Sequence, residues 1–499
     1  MWRPNKIHRR SRWHQNNMDE LRLRRRENER ALRQARRDRQ LVSKRLLLFE
    51  EEEQTEVTME TASADLFCKL QREGSEKEIY LKSLSKVLRD PSAQLSFIQL
   101  ENSMYELVGL LTGFDAQCRL LAVRCLHELS YSPDTSVTSA CMPATPYLIT
   151  YLSGQSAKFT ELCLYTLGNL CPASEAVKKK LLAQGIIPAL ASCMENQRHN
   201  LAVVEAVGFT LSQLLQTGDA VQKIVSIVMA SSLPSHLLSC LTPDSKFGLG
   251  AAIECAWCLH YLVSEDHREL LARGALLHCS SQLVSLSGAV SQRNKEDGAE
   301  LLVCPLLRCV GNLLSFCPVE DLSKHGADVQ LVDALCVLLN TYLHSSPSLA
   351  RETAWVLNNL TAHSTKCCSA LVTLNLVSSL IQLLPFSHGI NTMVLRIFAN
   401  IAHKNKELCI QLTQLGLLSA LSSTLKMADQ EMVTLSLDVL FMLLVSSPQV
   451  EEQFMIEGGA SLLEVIQYNS GGAIRQKASY LMDQLLTHFF KTCIHMIRL

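Results

Sequence analysis

Residues 18 to 45 hold the side chains best placed to do chemistry in this chain, and that chemistry is recognition of an acidic partner. Eleven Arg and Lys residues are threaded there at helical spacing through a few small apolar positions. Leu32 and Ala35 fall three apart, on one side of a helix, while Arg26, Arg30, Arg33 and Arg37 step round a neighbouring face. Too little of the segment is apolar for it to fold alone, so it is expected to order only on a binding surface. Residues 1 to 49 carry 16 basic side chains against 5 acidic ones, whereas the whole chain has a formal charge of −1, so the remainder is net acidic. The acidic run Glu50 to Glu53, continued by Glu56 and Glu60, reads as a solvated linker. The implied organisation is a disordered basic leader over 1–17, a basic helix over 18–49, an acidic linker over 50–61 and a folded body over 62–499.

That body must be built from repeating helices, because its sequence repeats. The pattern ARETAWVLNNLTAH around Asn359 has counterparts through the chain. The position of Asn359 recurs at Glu128, Asn169, Gln213, Tyr261, Asn312, Asn400, Met442 and Asp483. Successive steps in chain order are 41, 44, 48, 51, 47, 41, 42 and 41 residues, which is the period of armadillo and HEAT repeats. Each unit alone would leave an apolar face in water, so about nine of them must stack into one hydrophobic spine. The expected fold is all-α: a right-handed armadillo/HEAT-type α-solenoid preceded by a basic N-terminal arm. Gly185, Gly274, Gly326 and Gly416 stand between successive predicted helices, where a residue without a Cβ permits a sharp turn.

The stretch LRQARRDRQLVSKR from Leu32 to Arg45, preceded by Arg24 to Arg26 and Glu27, resembles the importin-β-binding segment of importin-α adaptors, a family that pairs it with an armadillo solenoid. The resemblance implies that Arg24, Arg25, Arg26, Leu32, Arg33, Arg36, Arg37, Lys44 and Arg45 dock on importin-β. It also implies a groove that takes protein cargo as an extended basic peptide. In that family the groove works through Trp and Asn four apart on one helix face. The Asn amide pairs with the peptide backbone, and Trp faces form slots for Lys or Arg stems, each worth about 0.5–2 kcal/mol. Trp355 with Asn359 is the complete pair here, and Asn169, Trp257, Asn312 and Asn400 are the other candidate groove residues. The remaining rungs depart from the pattern: Tyr165 precedes Asn169, Phe209 precedes Gln213, Trp257 precedes Tyr261, Arg308 precedes Asn312 and Arg396 precedes Asn400. One complete pair is too few for tight peptide binding. Ser43, Lys44 and Arg45 stand where the family's self-inhibitory basic cluster would be, and Ser in place of the first cation predicts weak occupancy of the groove by the chain's own arm.

No catalytic chemistry is expected. The sequence has no Gly-rich phosphate loop and no nucleophile elbow, and it calls for neither cofactor nor metal; the adjacent Cys367 and Cys368 lack a second pair at zinc spacing. The 19 cysteines, odd in number and scattered through apolar stretches, read as reduced buried thiols of the cytoplasm or nucleus. With Trp2 and Trp13 the only aromatics of residues 1–45, specific nucleic-acid recognition is not expected. The uncharged runs 224–243 and 367–385 raise a membrane-associated alternative. Pro234, His236, Asn375 and Gln382 within them instead suit core-facing third helices of repeat units, so membrane spans are not expected. The favoured function is an importin-α-like adaptor in nuclear import, and the rival is an armadillo scaffold without a transport cycle.

Overall fold

The computed structural model describes residues 59–497 apart from 72–75, 155, 173, 217–220, 244–247, 266, 292–297, 317–328 and 386–388. The leader, the basic helix, most of the acidic linker and Gly326 therefore lie outside the described residues. The chain divides into two units, Met1–Met59 and Glu60–Leu499, and nearly all the described helices belong to the second.

Every regular element among the described residues is helical. A complete unit has two shorter helices and a longer third one, as in Glu175–Ala183, Ile186–Asn196 and Leu201–Leu214. The first two meet at a left-handed residue. Gly185, Gly274 and Gly416 take this place with φ of 80°, 80° and 91°, where the sequence puts sharp turns. Asn102 (φ 63°) and Asn375 (φ 55°) take it in two other units, because Asn tolerates that region better than most side chains.

The third helices are labelled α1 (Ala116–Ser130), α2 (Ala157–Leu170), α3 (Leu201–Leu214), α4 (Gly250–Glu265), α5 (Ala299–Phe316), α6 (Pro347–His363), α7 (Ile390–Lys404), α8 (Gln430–Leu444) and α9 (Gly472–Ile497). Each packs on the next, so they form one unbroken stack, and each of the nine positions read from the periodicity falls on its own member of the series. Their apolar sides, with Leu126, Leu129 and Phe398 wholly buried among them, make the spine that isolated units could not. The fold is an all-α solenoid of the armadillo type.

The two uncharged runs are divided between short helices. Residues 224–243 fall into Val221–Met229 and Leu233–Ser239, and residues 367–385 into Thr365–Thr373 and Val377–Ile381. These are first and second helices of their units, which corrects the expectation that they are third helices. Short helices covered by the third helix of their own unit lose their charges for the same reason that a membrane span does, namely burial. Each is far below the roughly 20 residues needed to cross hydrocarbon. Among the described residues one helix, α5, is long and apolar enough for a span. It has 18 residues, and 72% of them are buried, with α4 and α6 on either side and Pro305 within it.

Carboxylates close several helix N-termini. Asp90 accepts from the Ser92 and Ala93 amides, Asp115 from those of Gln117 and Cys118, and Asp134 from that of Ser136. The Ser92 hydroxyl for Asp90, the Cys118 amide for Asp115 and the Ser136 hydroxyl for Asp134 are the main groups that hold these carboxyls below the usual carboxylate range. A carboxyl depressed in the folded state contributes stability above its unfolded pKa of about 3.9, and the contribution is lost as pH falls through the folded value. Thermal melts are expected to show stability declining below about pH 4. The combined Asp90→Asn, Asp115→Asn and Asp134→Asn variant, which keeps the capping acceptors, should decline less steeply over the same range.

Candidate partner-binding ladder

Trp355 and Asn359 lie one turn apart on α6, and both are spent on α5. The Trp355 ring packs closely against Gly311, where a Cβ would stand 1.7 Å from Cζ3. The Asn359 amide donates to the Gly311 carbonyl at 3.0 Å and to the Ser315 hydroxyl at 3.2 Å. Trp355 is 2% exposed and Asn359 8% exposed, so the complete Trp–Asn pair is part of the joint between two units.

Neighbouring rungs repeat this stitch. Asn400 on α7 donates to the carbonyl and the side-chain oxygen of Asn358, both at 3.1 Å, and Asn169 on α2 donates to the Ser130 hydroxyl of α1 at 3.3 Å. Thr210 on α3 donates to the Leu164 carbonyl of α2 at 2.8 Å. Asn312 is buried on α5 beside Gly311. The Gly–Asn pair at 168–169 resembles that at 311–312, because Gly168 seats the Phe209 ring, with Cε1 at 2.6 Å from where a Cβ would stand. A Gly–Asn step followed one unit later by an aromatic is the signal in the sequence that could have found this packing.

Four residues before each ladder position, the side chains form a second row. Tyr165 and Phe209 meet with ring centroids 5.2 Å apart. Trp257, which is buried, stacks on Tyr261 at 6.1 Å and carries the Arg308 guanidinium 5.8 Å above its ring. Arg308 also faces Glu352 at 3.7 Å, and the two side chains are 4% and 6% exposed. The indole at Trp257 thus already holds a cation from the next unit. Further along, Arg396 pairs with Glu431 at 2.9 Å and Asp438 with Lys477 at 2.5 Å. The row mixes aromatic packing at Tyr165, Phe209, Trp257 and Trp355 with ion pairing at Arg308, Arg396 and Asp438.

A third row was not anticipated. Glu161, Glu205, Glu254 and Glu352 stand seven or eight residues before the ladder positions of α2, α3, α4 and α6, a spacing of two turns that returns to the same helix side. Glu254 and Glu352 are buried, while Glu161 and Glu205 are partly exposed. This recurrence is visible in the aligned sequence and gives the ladder an acidic edge. Also overlooked was the Cys-x-x-Cys spacing of Cys255 and Cys258 on α4. Both thiols are buried, and Cys258 donates to the Gly208 carbonyl at 3.1 Å. The candidate residues Arg24, Arg25, Arg26, Leu32, Arg33, Arg36, Arg37, Lys44 and Arg45 lie outside the described residues.

The profile of the TMCO6 family matches residues 64–486, a span that includes every ladder position. The chain belongs to the TMCO6 family. This TMCO6-family chain is 24% identical over 364 residues to importin subunit alpha-9 of Arabidopsis thaliana, across 70% of the chain and 67% of that relative. A crystal structure of an engineered protein matches it with a TM-score of 0.66 at 18% identity, across 85% of the chain and 98% of the engineered one, and this likeness concerns the fold. The TMCO6-family chain is thus an armadillo-like protein-interaction scaffold, similar to an importin α subunit over most of its length.

Proposed function

We propose that this scaffold is an importin-α-like nuclear transport adaptor. Its arm docks on importin-β through Arg24, Arg25, Arg26, Leu32, Arg33, Arg36, Arg37, Lys44 and Arg45, and its ladder takes a protein cargo by an extended basic segment. The observation that carries this reading is the joint occurrence of an importin-β-binding-like arm and an importin-α-like ladder in one chain. The partly exposed Glu161 and Glu205 support it, because carboxylates spaced along the stack complement cations on an extended peptide. Asn169, Trp257, Asn312, Trp355, Asn359 and Asn400 are the proposed groove residues. Each exposed ion pair in the arm contributes about 0.2–1 kcal/mol, so docking depends on many pairs at once and weakens with salt. Shuttling would place the protein in cytoplasm and nucleus.

One observation favours a second reading, a scaffold with no transport cycle. Asn359 directs its amide at two acceptors on α5, and Trp257 already carries Arg308, so these groups must be released before a peptide can use them. A pull-down of the full chain with importin-β separates the readings. The transport reading expects capture at low salt, release by the GTP-loaded nuclear GTPase, and loss of at least about tenfold in affinity on Arg36→Glu with Arg37→Glu. No capture at low salt would leave the scaffold reading.

A further inference from the structure

The second helices of the units share a rule on their outer side, and the unit that ends in α9 breaks it. Counted from the left-handed residue that precedes each second helix, the seventh position holds Gly109, Ser192, Ser281, Gln382 and Ser423, all exposed and none large and apolar. In the helix Gly459–Asn469, which follows Gly458 and packs on α9, the same position is Val465, 55% exposed. Three residues on, where the other units have Thr112, Glu195, Val284, Pro385 and Lys426, stands Tyr468, 89% exposed. Ser461, Glu464, Val465 and Tyr468 are exposed at i, i+3, i+4 and i+7 spacing and so form one face, while Leu463 and Ile466 on the other side are buried. Just before Gly458, Ile456 is 79% exposed, with Glu452 one turn before it and Glu457 after it.

The charge around this face has one sign. Residues 427–474 contain seven Asp and Glu and no Lys, Arg or His. Glu431 and Asp438 are matched by Arg396 and Lys477, whereas Glu452, Glu457 and Glu464 lie exposed on a helical hairpin that has no basic residue of its own. An apolar stripe edged by carboxylates complements a helix that carries apolar residues on one stripe and Lys or Arg beside it. The same carboxylates argue against two other occupants. A second copy set face to face would bring Glu464 toward its own equivalent, and an anionic lipid surface would be repelled.

We propose that this outer face docks a basic amphipathic helix of a partner protein, with Val465 and Tyr468 taking its apolar stripe and Glu452, Glu457 and Glu464 facing its cations. The 11-residue helix that bears the stripe is about 16 Å long, enough for about three turns of a partner. The site lies on a second helix, whereas the proposed groove is built from third helices, so the two draw on different side chains.

The probe is a fluorescein-labelled peptide of about 18 residues, made of Leu and Lys with Leu at i, i+3, i+4 and i+7 spacing, titrated with the full chain and read by anisotropy. The expected result is saturable binding that weakens about tenfold with Val465→Ser and Tyr468→Thr together. Glu457→Gln with Glu464→Gln should weaken it about threefold and flatten its dependence on salt. All four side chains are exposed, so both variants should melt within about 2 °C of the parent. Tyr105→Ser, at an exposed site on another second helix, should bind the peptide as the parent does. A peptide of the same composition in scrambled order should bind at least about tenfold more weakly. Equal affinity of the parent and the Val465→Ser, Tyr468→Thr protein, or of the ordered and scrambled peptides, would overturn the proposal. So would a dimer of the parent, measured by light scattering, that this same pair of substitutions dissolves, because the face would then belong to a second copy.

Discussion

Gly311→Ala is expected to cost about 3 kcal/mol and to loosen the solenoid at a single rung, the joint between α5 and α6. The added methyl would stand 1.7 Å from Cζ3 of Trp355 and 2.5 Å from Cε3 and Cη2, and these are atoms of a rigid ring, not the far end of a flexible chain. The ring has nowhere to go without lifting α6, because Trp355 is 2% exposed. Lifting α6 also lengthens the bond from the Asn359 amide to the Gly311 carbonyl, now 3.0 Å. Urea unfolding followed by circular dichroism should show a first transition at lower denaturant, and indole emission should shift to the red as Trp355 meets water. Trp355→Ala alone removes a buried ring and is expected to cost about 3–5 kcal/mol. Combining the two substitutions should cost clearly less than their sum, since the methyl then points into space the indole has vacated. A Gly311→Ala protein as stable as the parent would contradict the close approach.

Glu352→Ala is expected to destabilise the solenoid by about 3 kcal/mol, and Arg308→Met with Glu352→Leu to recover most of that loss. The two charges are 4% and 6% exposed and 3.7 Å apart, beyond hydrogen-bond distance, so their attraction is Coulombic and acts with little solvent screening. Removing the carboxylate leaves a buried guanidinium without that counter-charge, with the Trp257 face at 5.8 Å as a weaker substitute. Replacing both ions by apolar groups of similar volume removes the desolvation cost along with the attraction. Thermal melts of the two variants beside the parent measure the difference. Equal melting of Glu352→Ala and the parent would mean that this pair is solvated in solution.

The solenoid was legible because the same problem is solved nine times. A buried helix side recurring every 41 to 51 residues averages out the noise of any one unit, so Asn359 could locate Glu128 at one end and Asp483 at the other. What a side chain touches across a joint was not legible to the same degree. Gly311 looks like any helical glycine until α6 lays an indole on it, and the partner is 44 residues away in the chain. Trp355 and Asn359 have the spacing of a peptide-binding pair and equally the spacing of a joint, and only the neighbouring backbone shows that the joint uses them. Asn102 and Asn375 are harder to read as turn residues than the glycines, because the requirement is tolerance of positive φ and Asn meets it without glycine's signature. The uncharged runs 224–243 and 367–385 lie in first and second helices and not in third ones, because lack of charge reports burial and not which layer does the burying.

Each ladder helix rests on the one before and the one after, and this arrangement sets how the protein would answer a mechanical load. Tension applied across the described stack is passed hand to hand from rung to rung, and each joint stretches in series. Such a body behaves as a soft spring whose compliance is shared out along its length. A glycine-seated indole or a buried ion pair would be felt as a local stiff coil in that spring, and the softer turns on either side would extend first.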